Sequence, residues 1–203
     1  MKEIPLKLPA PTLKGKVSVE EAIAKRRSIR KYKAEPLTLT QLSQILWSAQ
    51  GITGSQQLRA APSAGATYPL EIFILAGKET VKKLEAGVYH YDLATHSLVK
   101  QRYGDLRREL AKAALDQGFL ATAPVDIVIC ALYQRTCHRY GRRGERYTHM
   151  EMGHVGENIY LQAVALGLGA VMVGAFDDEE VRKILNAEEQ FRPLYIIPLG
   201  KPV

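Results

Sequence analysis

Cysteine is almost missing from this chain: two in 203 residues, Cys130 and Cys137. Two thiols cannot staple a fold of this length, which excludes a disulfide scaffold. Tryptophan occurs once, at Trp47, and aromatic residues make up only 7% of the chain. Nucleic-acid binders interleave exposed aromatics with cations or carry a recognisable module, and neither is present. The longest apolar run, residues 163–176, is too short to span a bilayer and is studded with glycine. The opening MKEIPLKLPAPTLKGK holds lysines and prolines but lacks the apolar stretch of a signal peptide. A cytoplasmic protein with no membrane partner is therefore expected. None of the five histidines pairs at the i, i+4 spacing of a zinc helix, so no metal is expected.

What is present is an ordinary globular composition, 46% hydrophobic and 24% charged, with a formal net charge of +7. The charge points to an anionic partner. Much of it lies in two stretches. One runs KRRSIRKYK over residues 25–33, and the other, QRTCHRYGRRGERY, covers residues 134–147. Forked guanidiniums beside a hydroxyl, as in Arg-Arg-Ser-x-Arg, suit a phosphate.

Residues 1–17 read as an extended proline-rich arm and residues 18–203 as one domain. Ser18 and Glu21 carry the signature of a capping box before Val19, Ala22 and Ile23. Leu42, Ile45, Leu46 and Ala49 repeat at helical spacing after Thr40 and stop at Gly51. Residues 70–76 and 125–132 read as buried strands, 88–91 and 97–100 as a hairpin, and 171–175 and 194–199 as further strands. Short helices are predicted near 81–84, after Asp105, and from Asp177 or Asp178 to Leu185. Residues 134–147 read as a loop before the longest helix, 147–166. That helix is apolar on more than one stripe (Met150, Val155, Ile159, Val164, Leu166), which predicts burial on several sides, either centrally in the core or, as favoured here, at a subunit interface. The order of elements gives an α+β fold around a central mixed or antiparallel sheet.

Two familiar patterns fail on context. GLGAVMVG at residues 167–174 runs from helix into strand, the reverse of a dinucleotide-binding loop. APSAG at residues 61–65 lacks the buried strand that a nucleophile elbow needs.

The motifs RRSIRKY, QLSQILWSAQGIT, APSAGATYPLEIFIL, GVYHYD, RYTHMEMGHVGENIYLQAVALGLGAVMVGAFDDEEV and LYIIPLGKP, in that order, resemble the nitroreductase superfamily. The likeness runs from about Leu6 to Pro202 and is greatest to the SagB-type dehydrogenase branch. It implies a three-layer fold and an interlocked homodimer that binds FMN at the subunit interface. Electrons would pass in ping-pong fashion from NAD(P)H to a small acceptor such as a nitroaromatic or quinone. It places Arg26, Arg27, Ser28 and Arg30 at the flavin phosphate, ribityl chain and pyrimidine edge. Pro62, Ser63, Ala64 and Gly65 match a loop that reaches the flavin from the partner subunit. Val173, Gly174 and Ala175 match the segment near flavin N5, and Lys201 falls near a C-terminal phosphate contact. Azoline-oxidising members of the SagB-type branch carry a Lys-Tyr pair where this chain has Arg139-Tyr140. Tyr140 is thus a candidate catalytic residue, whereas an arginine cannot act as a base. Glu151, His154 and Asn158 on the long helix are expected to make polar interface contacts. Two readings stand beside the first: a thiazoline or oxazoline dehydrogenase acting on peptides, and a flavin- or nucleic-acid-binding protein without turnover.

Overall fold

A computed structural model describes residues 4–203. Helix α1 (Val19–Lys25) starts at Ser18, whose hydroxyl accepts the Glu21 N–H at 3.1 Å. The reciprocal half of that box is not made, because the Glu21 carboxylate pairs with Lys25 one turn on at 2.6 Å. The full box forms instead at α2 (Leu39–Gln50), between Thr38 and Gln41. Helix α2 therefore begins two residues before the expected start, with Gln41 reaching back to the Thr38 N–H at 2.9 Å. It ends where the Gly51 N–H closes on the Trp47 carbonyl.

The strands are β1 (Leu6–Lys7), β2 (Leu70–Ala76), β3 (Gly87–Asp92), β4 (Ser97–Tyr103), β5 (Val125–Ala131), β6 (Gly169–Ala170) and β7 (Arg192–Gly200). They form one sheet in the order β1-β4-β3-β2-β5-β7-β6, and every pairing between these strands is antiparallel. Parallel contact occurs only at isolated bridges, Ser28 with Ala170 and Leu37 with Val81. Successive side chains of a strand point to opposite faces. Ile72 and Ile74 of β2 and Ile127 and Ile129 of β5 enter one buried cluster, while Phe73, Leu75, Val128 and Cys130 enter another. Both faces of the central strands are covered, which is why they read as nearly continuous apolar runs.

The remaining helices are α3 (Arg107–Ala113), α4 (Phe119–Thr122), α5 (Tyr133–Tyr140), α6 (Arg143–Ala165) and α7 (Asp178–Leu185). The first cluster is shared with α2 and α6, and the second with α3, α4 and α7. The fold is α+β in three layers. The arm follows its own chain: β1 pairs with β4, the Ser43 hydroxyl donates to the Pro9 carbonyl at 2.5 Å, and the Thr12 N–H donates to Gln44 at 2.8 Å.

Four expectations change. Residues 81–84 are not helical: Val81 bridges Leu37, and Lys83 takes a left-handed φ of 66° that ends any helical turn. Asp105 sits one residue before the N-cap position of α3, which is Leu106; its carboxylate accepts the Arg107 N–H at 3.3 Å and holds the Arg107 guanidinium at 2.6 and 2.8 Å. The basic stretch 134–147 is helical almost throughout, since arginine is a good helix former and cationic composition does not make a loop. Gly144 lets α6 ride on α5; a Cβ there would lie 2.6 Å from the Cys137 nitrogen. Residues 171–175 are not a full strand. β6 stops at Ala170, and Val173 alone rejoins the sheet, exchanging 2.9 Å hydrogen bonds with Ile196.

Helix α6 buries one stripe, including Thr148, Met152, Val155, Ile159 and Ala163. Leu161, Val164 and Leu166 are only half-buried, and Met150 is exposed. The second apolar stripe therefore has no full cover within one chain.

Asp126 on β5 is fully buried, and neither carboxylate oxygen has a hydrogen-bond partner among the described residues. Burial pushes its pKa far up, and the Arg107 charge only partly opposes this. A carboxyl with a raised folded pKa binds its proton more tightly than the unfolded chain does. Its contribution is therefore most favourable below the unfolded value of ~3.9 and declines as pH rises towards the folded value. Asp126→Asn keeps the shape and removes the proton equilibrium. We expect it to flatten the fall in stability between pH 5 and pH 8 and to raise the melting temperature at pH 8 by about 2–4 °C, roughly 1 kcal/mol for this size. A variant as pH-dependent as the parent in thermal melts would contradict this.

Candidate functional site

Residues 26–33 run extended beside β6 and the C-terminus. The Ile29 N–H donates to the Ala170 carbonyl and the Lys33 N–H to the Lys201 carbonyl, both at 2.9 Å. Alternation along an extended chain turns Arg26, Ser28 and Arg30 to one side. The Arg26 guanidinium lies 5.1 Å from the centroid of the Tyr160 ring, and the Ser28 hydroxyl is 3.2 Å from the Tyr160 hydroxyl. The Arg30 guanidinium lies 6.0 Å from the Phe119 ring. Arg27 points elsewhere: its Nη1 donates to the carbonyls of Ala24 and Arg26 at 3.0 and 2.6 Å, at the C-terminal end of α1. The basic cluster thus divides: Arg26 and Ser28 meet Tyr160, Arg30 meets Phe119, and Arg27 closes a helix.

The Tyr160 hydroxyl also accepts the Met172 N–H at 3.0 Å. One side chain on α6 therefore ties the 26–30 segment to the segment holding Val173, Gly174 and Ala175. The Val173 N–H is spent on Ile196. Gly174 and Ala175 are exposed, and their N–H groups have no partner among the described residues; the Ala175 carbonyl accepts from Gln117 at 3.0 Å. Lys201 lies beside this face, but its ammonium is paired with Glu35 and holds that carboxyl below its usual range.

A second group of residues gathers around the loop at Pro62, Ser63, Ala64 and Gly65. Gly65 has φ of 59°, and Ala66 and Tyr68 also adopt positive φ, 54° and 46°. Such backbone persists only where its surroundings over-determine it. The Tyr68 N–H donates to Ser63 at 2.9 Å and its carbonyl accepts from Arg135 at 3.0 Å. The Arg59 guanidinium covers the Tyr68 ring at 4.2 Å. Arg139 donates to the Gly65 carbonyl at 3.1 Å, and a Cβ on Gly65 would lie 2.5 Å from the Tyr140 hydroxyl. The Arg139-Tyr140 pair and the small-residue loop are thus in contact. Beneath them Glu151 is buried and hydrogen-bonded to Ser63 and Gln50, and Gln50 accepts from Arg59 at 2.9 Å. Burial raises the Glu151 carboxyl above its ordinary range, against the pull of those hydrogen bonds and of Arg59 and His154. Glu151 is therefore an intramolecular anchor of the loop. Asn158 likewise bonds within the chain, to the Ser48 carbonyl at 3.0 Å.

The two groups sit at different levels of α6. Tyr160 serves the first and Glu151 the second, nine residues apart, or about 14 Å along the axis at 1.5 Å per residue. Tyr160, Phe119 and Gln117 were not singled out from the sequence. The available signal was a tyrosine in the buried stripe of α6, because a buried phenol needs a partner for its hydroxyl.

Residues 23–201 match the nitroreductase family. The chain belongs to that family. It is 48% identical over 187 residues to a protein of Methanocaldococcus jannaschii named as a nitroreductase, covering 92% of each chain. A crystal structure of an Anabaena variabilis protein, also named as a nitroreductase, superposes with a TM-score of 0.86 at 31% identity. It covers 98% of this chain and 42% of its own. The microcin B17-processing protein McbC of Escherichia coli is 29% identical over 137 residues, 65% of this chain and 50% of McbC. Among the described residues no helix is long and apolar enough to cross a membrane.

The tether at Tyr160 generates a direct expectation for this nitroreductase-family chain. Tyr160→Phe keeps the ring and removes the hydroxyl that meets Ser28 and Met172. Urea denaturation should show a loss of about 1–3 kcal/mol, the cost of leaving a buried group unpaired. Unchanged stability would mean that the two segments are held independently.

Proposed function

We propose that the protein is an FMN-dependent oxidoreductase that passes electrons from NAD(P)H to a small acceptor such as a nitroaromatic or quinone, working as a homodimer. One observation carries this reading: the cationic face at Arg26, Ser28 and Arg30 and the loop at 62–65 lie at different levels of one helix. One chain therefore offers two half-sites, and a two-fold pair of chains can complete both. The apolar surface fits such pairing. Val19 and Ile23 of α1 are 65% and 58% exposed. Beside them a groove of about 370 Å³ is lined by Val19, Ala22, Trp47, Leu161 and Ala165.

The donor set fits FMN. Two guanidiniums and a hydroxyl on one face suit its phosphate and polyol, and the exposed N–H groups of Gly174 and Ala175 suit the polar edge of a flat ring. When bound, FMN accepts a hydride and its pyrimidine edge gains negative charge. Arg30, backed by Phe119, would hold a permanent cation against that charge. Arg26, backed by Tyr160, would hold the phosphate. Backbone N–H groups at Gly174 and Ala175 would orient the ring, and Pro62 to Gly65 of the second copy would cover it and exclude water. Lys201 stays with Glu35 in this assignment. Tyr140 would hold a proton on its hydroxyl at the acceptor side.

A second reading has its own observation. Arg139-Tyr140, at the positions of the Lys-Tyr pair of azoline-oxidising relatives, touches Gly65 in the loop proposed to cover the flavin, which would bring Tyr140 to a peptide azoline ring. Arginine supplies no base there, so Tyr140 would have to move the proton. Loss of two mass units from a heterocyclised peptide would favour that reading.

Purified protein should be yellow, and its flavin absorbance should bleach on adding NADH or NADPH. A colourless protein that fails to take up added FMN would refute the proposal. Arg26→Ala with Arg30→Ala should weaken FMN binding by about 100-fold or more, two charge-assisted contacts at roughly 1.5–3 kcal/mol each. Unchanged FMN affinity in fluorescence titration would remove these arginines from the site.

A further inference from the structure

We propose that the exposed corner where α5 meets α6 binds the 2′-phosphate of NADPH through Arg142, Arg143 and Arg146 and makes NADPH the preferred electron donor. This rests on the flavin-enzyme reading above.

Several cations elsewhere on the chain are held by an acid. Arg107 is paired with Asp105, Arg135 with Glu71, Arg182 with Glu179, Lys183 with Glu180 and Lys201 with Glu35. Arg142, Arg143 and Arg146 are exposed and have no ion pair or hydrogen bond among the described residues. Glu145 is the only acid between Tyr133 and Met150. Three permanent cations on one helical corner repel one another when empty, and a dianion relieves that repulsion. Guanidinium forks bind phosphate oxygens in bidentate fashion, and a phosphate monoester offers three oxygens and up to two charges to a cluster of three.

The corner is held in place. Gly144 seats α6 against the backbone of α5 at Cys137, and Tyr140 meets Tyr147 edge-on at 5.1 Å. The arginines therefore project from a fixed support rather than a mobile loop.

Its position fits the donor. Tyr140, one residue from the corner's turn, touches Gly65, and Arg139 binds the Gly65 carbonyl. The loop at 62–65 borders the place proposed for the flavin ring. A dinucleotide with its nicotinamide on that ring would send its adenosine end outward, and the first turn of α6, next in the chain to Tyr140, would be within its reach. NADH carries only the pyrophosphate charge. NADPH adds a monoester of about −1.5 to −2 at neutral pH. An extra cation cluster at the rim distinguishes these two molecules.

Calorimetric titration with 2′,5′-ADP and with 5′-ADP reads the site without turnover. The expected result is at least about tenfold tighter binding of 2′,5′-ADP, equivalent to one charge-assisted hydrogen bond. That difference should vanish in the Arg142→Ala/Arg143→Ala/Arg146→Ala variant. In steady-state assays the variant should raise KM for NADPH by about tenfold or more while KM for NADH rises by no more than about threefold. KM for NADPH in the unaltered enzyme should also climb more steeply with salt than KM for NADH. Equal binding of the two ADP isomers overturns the inference. So does an equal rise in both donor KM values, or a change confined to the acceptor. If the triple alanine variant fails to fold, the comparison of ADP isomers on the unaltered protein still decides. A protein that binds no flavin yet discriminates the isomers would refute the flavin reading and leave the phosphate site standing.

Discussion

The structure turns on one constraint: α6 is one continuous helix, so Glu151 and Tyr160 stay about 14 Å apart along its axis. At its C-terminal half, Tyr160 gathers Arg26, Ser28 and the backbone at Met172. Nearer its N-terminus, Glu151 anchors Ser63 and Gln50 while α5 presses Arg139 and Tyr140 on to Gly65. A helix of 23 residues does not bend to bring these together. The partly exposed apolar stripe on the same helix, together with Val19 and Ile23 of α1, gives the physical reason to expect a second copy. Hydrophobic surface and site geometry both support the proposed pairing.

The charge excess of the chain resolves into distinct uses. Many basic side chains are paired with an acid; exposed pairs such as Lys25–Glu21 and Lys183–Glu180 contribute little to stability, while Glu71 and Arg107 are largely buried members of theirs. Among the cations that no acid holds, two groups of arginines bear on the proposed site. Arg26 and Arg30 stand over aromatic rings beside the Ser28 hydroxyl, and Arg142, Arg143 and Arg146 stand on the α5–α6 corner. Both places border the proposed flavin cleft from different sides. A phosphate-bearing cofactor and a phosphate-bearing donor account for both without invoking nucleic acid.

The layers of the fold were legible because the strands at 70–76 and 125–131 are apolar on both faces, which only a sheet covered on both sides requires. Helix α2 was legible from Leu42, Ile45 and Leu46, but its start was not, because Thr38 and Thr40 both look like caps and only Gln41 at the third helical position separates them. In the 134–147 segment the density of charge resembles a loop. Its helicity follows from arginine propensity and from the close crossing at Gly144, which no local pattern reveals. The Arg26–Arg30 cluster was visible as chemistry, yet the turning away of Arg27 depends on alternation in an extended chain. Tyr160 was invisible as a tether because both its partners, Ser28 and Met172, are distant in sequence. Asp126 looked like one polar residue in a strand; its isolation is a property of the packed core.

The claim that the site is shared between two copies is tested most directly by complementation. One variant carries Arg26→Ala and Arg30→Ala, and a second carries Gly65→Val, which would clash with Tyr140 and distort the loop. Each alone should bind little FMN. Co-expressed, the two form mixed dimers in which one of the two sites has an intact cationic face from one chain and an intact loop from the other. Recovery of bound FMN and NAD(P)H oxidation in the mixed preparation is the result this account predicts. A mixture that binds no more FMN than the separate variants, with dimers confirmed by light scattering, would contradict it.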